Sequence, residues 1–171
     1  MAGRLVYNSE DRIRPFAGVS HFFGLAGAAM GVNAQMPLSL PETATRKGFS
    51  MTSLELAQKM VKILDGKKAT DIKLIDIRGL STLGDYFLLA SASNTTLTKS
   101  LSDELEERLS KEDGLEPKRI EGYQSASWIL LDYYDVIVHI FYAETRQYYS
   151  LERLWADGKE VDLSGLLAKE E

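Results

Sequence analysis

Two apolar runs, Trp128-Ile129-Leu130-Leu131 and Val136-Ile137-Val138-His139-Ile140-Phe141, are separated only by Asp132-Tyr133-Tyr134-Asp135. Four residues are too few for a crossover, so the runs must pair as an antiparallel hairpin. A further run, Tyr86-Phe87-Leu88-Leu89-Ala90, also lacks polar alternation, which is the pattern of a strand covered on both faces. Strands of this kind need helices to cover them, and the sequence supplies helices. Thr52-Ser53-Leu54-Glu55 has the Thr-x-x-Glu form of a capping box. Leu54, Leu56, Ala57, Met60, Val61, Ile63 and Leu64 then fill one half of a helical wheel, and Gly66 ends it. Asn94 or Thr95 can cap a second helix with the stripe Leu97, Leu101, Leu105 and Leu109, closed by Gly114. On its exposed side Glu104–Arg108 and Glu107–Lys111 are favourable i,i+4 pairs.

Residues 71–77 read as a β-branched strand, a Gly79 to Gly84 loop follows, and a short strand is expected around Arg119–Gly122. Ala143 to Trp155 reads as one or two helical turns, and the tail from Lys159 reads as polar and frayed. The order is α-β-β-α-β-β-β-α. It predicts an α/β fold, a mixed five-stranded sheet with flanking helices.

The chain divides near Met51. Residues 1–50 hold five basic and three acidic residues, with Pro15, Pro37, Pro41 and no sustained periodicity, so an irregular extension is expected there. Its apolar stretch Phe22 to Val32 is too short to span a bilayer. Val32-Asn33-Ala34 resembles a signal-peptidase site, an Arg-bearing transit peptide is a second reading, and a start placed upstream of Met51 is the blandest. Residues 51–158 are expected to form the folded domain and 159–171 a tail. Residues 51–171 hold 15 basic and 22 acidic residues. That balance disfavours a nucleic-acid surface and suits a basic partner. No DNA or membrane partner is expected.

Cysteine is absent and only His21 and His139 could serve as imidazole ligands, so thiolate nucleophiles and histidine-rich metal sites are excluded. Asp76, Asp85, Asp132 and Asp135 sit near strand ends, where carboxylates could hold a divalent metal for phosphoryl or nucleotidyl transfer. No phosphate-cradling glycine loop or nucleophile elbow accompanies them. Asp is in any case common where strands end, since its side chain satisfies turn amides. A lone His139 in an apolar strand reads as a packed residue. No catalytic, cofactor or metal site is expected.

Trp128, with Tyr133 and Tyr134 in the adjoining hairpin, lies beside Asp132 and Asp135. Rings for energy and charges for register make a protein-recognition patch. Alternatively Trp128 fills the core and the tyrosines lie flat, and composition does not separate the two. A two-residue hairpin loop favours Gly or Asn because it needs positive φ. Tyr134 therefore implies either a longer loop or a strained residue.

These residues carry a family resemblance. Asp85-Tyr86-Phe87-Leu88-Leu89-Ala90-Ser91-Ala92-Ser93-Asn94 resembles the Asp-Tyr-Phe-x-x-Ala-Ser-Gly-Thr-Ser segment of the ribosomal silencing factors, the Iojap family. Glu121-Gly122, Ser125 to Asp132 and Asp135 to Phe141 resemble its central signature. Arg146, Tyr149 and Leu151-Glu152-Arg153-Leu154-Trp155 resemble its closing motif. The likeness covers about residues 52–157. It departs at Tyr134, where the family usually has Gly, and in residues 1–50, which match nothing in it.

The resemblance implies a nucleotidyltransferase-like core without catalytic motif, and a non-enzymatic, cytoplasmic translational repressor. An organellar site would follow if residues 1–50 are a transit peptide. It further implies binding to the large ribosomal subunit through ribosomal protein uL14, steric block of small-subunit joining when nutrients run short, and a possible homodimer when free. On that footing Trp128 is expected as the aromatic anchor, with Leu131, Asp132, Tyr133 and Asp135 around it. Asp85, Tyr86, Ser93, His139, Arg146, Tyr149, Glu152 and Trp155 are expected as motif residues that hold the fold or a dimer. The alternative is a metal-dependent nucleotidyltransferase-like enzyme using Asp85, Asp132 or Asp135.

Overall fold

The computed structural model describes residues 51–167, and the expectations for residues 1–50 lie outside it. Helix α1 (Ser53–Gly66) opens on the anticipated capping box. The Thr52 amide donates to Glu55 Oε2 at 2.7 Å, and the Glu55 amide donates to Thr52 Oγ1 at 3.2 Å. Strands β1 (Thr70–Asp76) and β2 (Tyr86–Ala92) follow. Helix α2 (Thr95–Asp113) is capped by Asn94 and ended by Gly114 at φ 64°, a left-handed position suited to glycine. Then come β3 (Arg119–Glu121), β4 (Trp128–Tyr133), β5 (Val136–Tyr142), α3 (Ala143–Tyr149), α4 (Leu151–Leu154) and β6 (Lys159–Glu160).

The sheet has six strands in the order β3-β4-β5-β2-β1-β6. β2 and β5 run parallel, joined through α2, β3 and β4, and the other pairs are antiparallel. The sixth strand corrects the frayed-tail expectation. Lys159 and Glu160 pair with Asp76 and Ile75, the Val161 amide donates to Leu74 O at 2.8 Å, and Leu163 is buried. Backbone pairing at a sheet edge holds two polar residues in place without any apolar pattern.

Because strand side chains alternate, the sheet has two distinct faces. One carries Leu74, Leu88, Ala90, Ile129, Leu131, Tyr133, Val136, Val138 and Ile140, packed under the apolar stripes of α1 and α2. Lys59 pins these helices together, with Nζ 2.8 Å from Glu112 and 2.5 Å from Asp113. The other face carries Phe87, Leu89, Ser91, Trp128, Leu130, Asp132, Ile137, His139 and Phe141, with α3 and α4 against it. The expected mixed sheet with flanking helices is what forms, with helices on both sides.

The β4–β5 loop is the two-residue kind. Tyr133 pairs with Val136, and Tyr134 sits at φ 69°. The Asp132 carboxylate accepts from the Tyr134 amide at 2.9 Å. The Asp135 carbonyl accepts from the amides of Asp85 (2.7 Å) and Tyr86 (3.0 Å). A Cβ on Gly84 would lie 3.0 Å from both the Tyr134 and Asp135 carbonyl oxygens, so Gly84 lets the preceding loop press against the turn. The Tyr134 ring is partly exposed, with Lys118 Nζ 5.6 Å from its centroid.

Positive φ costs a non-glycine residue about 1–2 kcal/mol, and glycine gives back about 0.5–1 kcal/mol through a freer unfolded chain. Tyr134→Gly is therefore expected to leave the melting temperature unchanged or raise it by a few degrees in thermal denaturation. A clear fall would show that the ring contributes more than the turn costs.

Candidate functional site: an aromatic layer and the adjoining hairpin

Gly122 begins the site. It sits at φ 80°, and a Cβ there would fall 1.9 Å from the Trp128 carbonyl oxygen, so only glycine lets the chain fold back over the start of β4. Trp128 then points to the α3 side and is 1% exposed. Its indole stacks on Phe141 with centroids 4.8 Å apart and meets Tyr149 at 5.0 Å. Tyr149 meets Tyr148 edge-on at 5.1 Å. On the same face Phe87 makes edge contacts with His139 (5.0 Å) and Trp155 (4.9 Å). Aromatic layers of this kind add roughly 0.5–1.5 kcal/mol per ring pair beyond area burial.

The layer is buried at its base and exposed at its end. Tyr148 is 73% exposed and Leu154 50% exposed, both on the short helices α3 and α4. Sequence reading did not single out Tyr148. Its signal was the Tyr148-Tyr149 pair, one ring of which faces the sheet.

His139 is buried within this layer, and Trp128 Nε1 donates to its Nδ1 at 3.2 Å. Burial pushes the imidazole down to about 3. The unfolded chain therefore takes up a proton near its ordinary 6.5 that the folded chain refuses. Stability from the neutral ring is present above pH 6.5 and is lost as pH falls toward 3. We expect the unfolding free energy to fall from pH 7.5 to pH 5.5, with a slope approaching about 1.4 kcal/mol per pH unit, and the melting temperature to fall with it, less so in His139→Asn. Equal slopes in the two proteins would assign the effect to other groups.

The five residues expected to form one contact patch are divided by the sheet, which corrects that expectation. Trp128 and Asp132 belong to the α3 side. Leu131 and Tyr133 point the other way, under α1 and α2, at 0% and 2% exposure. Asp135 lies in the exposed turn. A patch running Trp128, Leu131, Asp132, Tyr133 cannot share one face of a strand whose side chains alternate.

The motif residues brace the fold. Asp85 accepts from Ser53 Oγ at 2.6 Å, tying β2 to the start of α1. Tyr86 is buried, which raises its phenol, and the Arg78 guanidinium lies 5.3 Å from its ring. Ser93 is exposed beside the Asn94 cap, accepting from Asn94 Nδ2 at 3.3 Å. Arg146 is buried and holds Glu152 through Nε at 2.8 Å and Nη2 at 2.7 Å. Its Nη1 donates to Ser91 Oγ at 2.9 Å and to the Asp71 carbonyl.

Two of the three carboxylates of the enzymatic alternative have structural duties. Asp85 serves α1, and Asp132 caps the turn with Arg119 Nη2 at 3.9 Å. Among the described residues no three His, Cys, Asp or Glu side chains are grouped to hold a metal ion, and no helix is long and apolar enough to cross a membrane.

The family model described as "Ribosomal silencing factor during starvation" matches residues 50–171, so the match runs through the C-terminal strand as well. "Ribosomal silencing factor RsfS" of Halalkalibacterium halodurans is 37% identical over 118 residues, covering 69% of this chain and 100% of that protein. A crystal structure of a protein from Bacillus halodurans superposes with a TM-score of 0.57 at 37% identity, covering 64% of this chain and 99% of that one. "Protein Iojap, chloroplastic" of Arabidopsis thaliana is 28% identical over 112 residues, covering 65% of this chain and 46% of that protein.

Proposed function

The chain belongs to the family of ribosomal silencing factors, and we propose that it represses translation by binding the large ribosomal subunit through ribosomal protein uL14 and blocking small-subunit joining. The mechanism needs no bond chemistry. A domain seated where the other subunit must dock inhibits by occupancy, in proportion to the fraction of subunits bound. The reading places the protein in the cytoplasm.

The observation that carries the reading is the ladder Trp128–Tyr149–Tyr148, which ends in an aromatic side chain with most of its surface in water. A large exposed ring on a rigid base loses little freedom on docking, which is why such rings dominate interface energetics. In this geometry Trp128 anchors the interface from beneath, while Tyr148, Leu154 and the exposed turn with Asp135 meet the partner. The surplus of 22 acidic over 15 basic residues from Met51 onward repels ribosomal RNA and steers the domain to a basic protein. A second copy of the chain could cover the same exposed ring in the absence of ribosomes.

The test is co-sedimentation of the purified chain with isolated large subunits, paired with a light-scattering assay of subunit joining. The chain is expected to travel with the large subunit and to slow joining. Tyr148→Ala is expected to weaken both about tenfold or more with its melting temperature unchanged. A chain that stays at the top of the gradient, or that turns over nucleotide with magnesium, would overturn the reading.

A further inference from the structure

Helices α3 and α4 are too short to hold their shape alone, and neither opens on a side-chain cap. Ser150, at φ 45°, breaks one from the other. Its amide donates to the Arg146 carbonyl at 2.8 Å and its hydroxyl to the Gln147 carbonyl at 2.8 Å, while its carbonyl accepts from the Arg153 amide at 2.9 Å. Tyr148 stands on one side of this joint and Leu154 on the other, both exposed. The spacing of these two side chains is therefore set by the angle of the joint.

Two apolar contacts seat α4 on the sheet. Leu151 is buried within it, and Trp155 just beyond it meets Phe87 edge-on at 4.9 Å. Two points define an axis about which a short helix can still turn, so a third is needed to fix it. Arg146 supplies that third point from α3. Its Nε and Nη2 reach Glu152 at 2.8 Å and 2.7 Å, and both bonds end on one carboxylate oxygen, Oε1. The guanidinium is itself anchored, since its Nη1 donates to Ser91 Oγ of β2 at 2.9 Å. Glu152 keeps 28% of its side chain exposed, so a direct contact with a basic partner is the rival role for its charge.

On the reading that this face docks on the large subunit, we propose that Glu152 is a positioning residue. With Arg146 it fixes α4 at the Ser150 joint, so that Tyr148 and Leu154 meet the subunit at one spacing, and it acts through them without touching the partner. Two anchors held at a fixed spacing lose less freedom on binding than two that move independently, so a loosened joint costs affinity although no contact is removed. What matters at position 152 is then the reach to Arg146, not the charge.

Two variants of Glu152 separate reach from charge. Glu152→Gln keeps the length and an oxygen able to accept both Arg146 bonds, whereas Glu152→Asp keeps the charge but is one methylene too short. In co-sedimentation of the full chain with isolated large subunits, well below every melting temperature, the glutamine protein is expected to bind within about twofold of the parent and the aspartate protein about three- to fivefold more weakly. With Tyr148→Ala/Leu154→Ala already in place, at raised chain concentration, Glu152→Asp is expected to add less than about twofold, because nothing remains for it to position. In the free protein, amide hydrogen exchange at residues 147–154 is expected to quicken in Glu152→Asp while β4 and β5 keep their protection. The reverse ranking, glutamine weaker than aspartate, would make Glu152 a direct charge contact and overturn the proposal. So would equal binding by both variants, a full further loss in the double-alanine background, or unchanged exchange at the joint. A parent chain that never travels with large subunits would overturn the repressor reading itself, while a chain that binds yet shows additive losses would overturn the positioning role alone.

Discussion

Replacing Arg146 by methionine is expected to destabilise the fold by about 3 kcal/mol, the low end of the range for breaking one partner of a buried ion pair, because Glu152 keeps 28% of its side chain exposed. The side chain is 8% exposed and ties three elements together. It grips Glu152 of α4, the Ser91 hydroxyl of β2, and the Asp71 carbonyl of β1. Asp71 is at φ 47° beside a register shift between Thr70 and Lys73, and Ser150 at φ 45° breaks α3 from α4. The guanidinium thus secures left-handed Asp71, and the Arg146 carbonyl accepts from the amide of left-handed Ser150 at 2.8 Å.

Methionine would fill the volume but leave a carboxylate, a carbonyl and a hydroxyl without their donor. The melting temperature is expected to fall by about 10 °C or more. Arg146→Met/Glu152→Leu removes the stranded carboxylate too and is expected to recover a substantial part of the loss, since replacing both members of a buried pair costs less than removing one. A single variant that melts within about 2 °C of the parent would show that packing, not the charge network, holds α3 and α4.

Local chemistry made much of this fold legible in the sequence. Thr52 and Glu55 announce a helix start because their cap bonds span three residues. Asn94, the Leu101, Leu105, Leu109 stripe and Gly114 do the same for α2. The short interval between β4 and β5 left no topology but a hairpin, and Tyr134 flagged the strained turn. What could not be read depends on distant partners. Lys159 and Glu160 form a strand only because β1 offers an edge. The motif marks Arg146 as a residue that holds the fold or a dimer, but not its partner, the bulge at Asp71, which lies 75 positions away. The division of Trp128 and Asp132 from Leu131 and Tyr133 was available in principle from strand periodicity. A run that is apolar at every position hides it, because both faces look alike. Tyr148 escaped notice for the opposite reason, since one exposed ring has no periodic signature.

Trp128→Ala tests whether the ladder is structural, functional or both. The sequence alone allowed an anchor on the surface, for which alanine would weaken binding and spare the fold. Its indole is instead enclosed by Phe141, Tyr149 and His139. Alanine would open a cavity of nearly the whole ring and strand His139 Nδ1 without its donor, so a loss of about 3–5 kcal/mol is expected. Trp128→Phe keeps an aromatic floor under Tyr149 and loses the donor, for an expected cost of about 1–2 kcal/mol.

The two variants separate the roles when co-sedimentation is measured well below both melting temperatures. The phenylalanine protein is expected to bind large subunits within a few-fold of the parent. The alanine protein, folded but with Tyr149 unsupported, is expected to lose about tenfold or more because Tyr148 no longer stands on a fixed base. An alanine variant that melts like the parent would contradict the enclosed position of the ring. One that is destabilised yet binds normally would confine Trp128 to the core and move the contact surface away from the ladder.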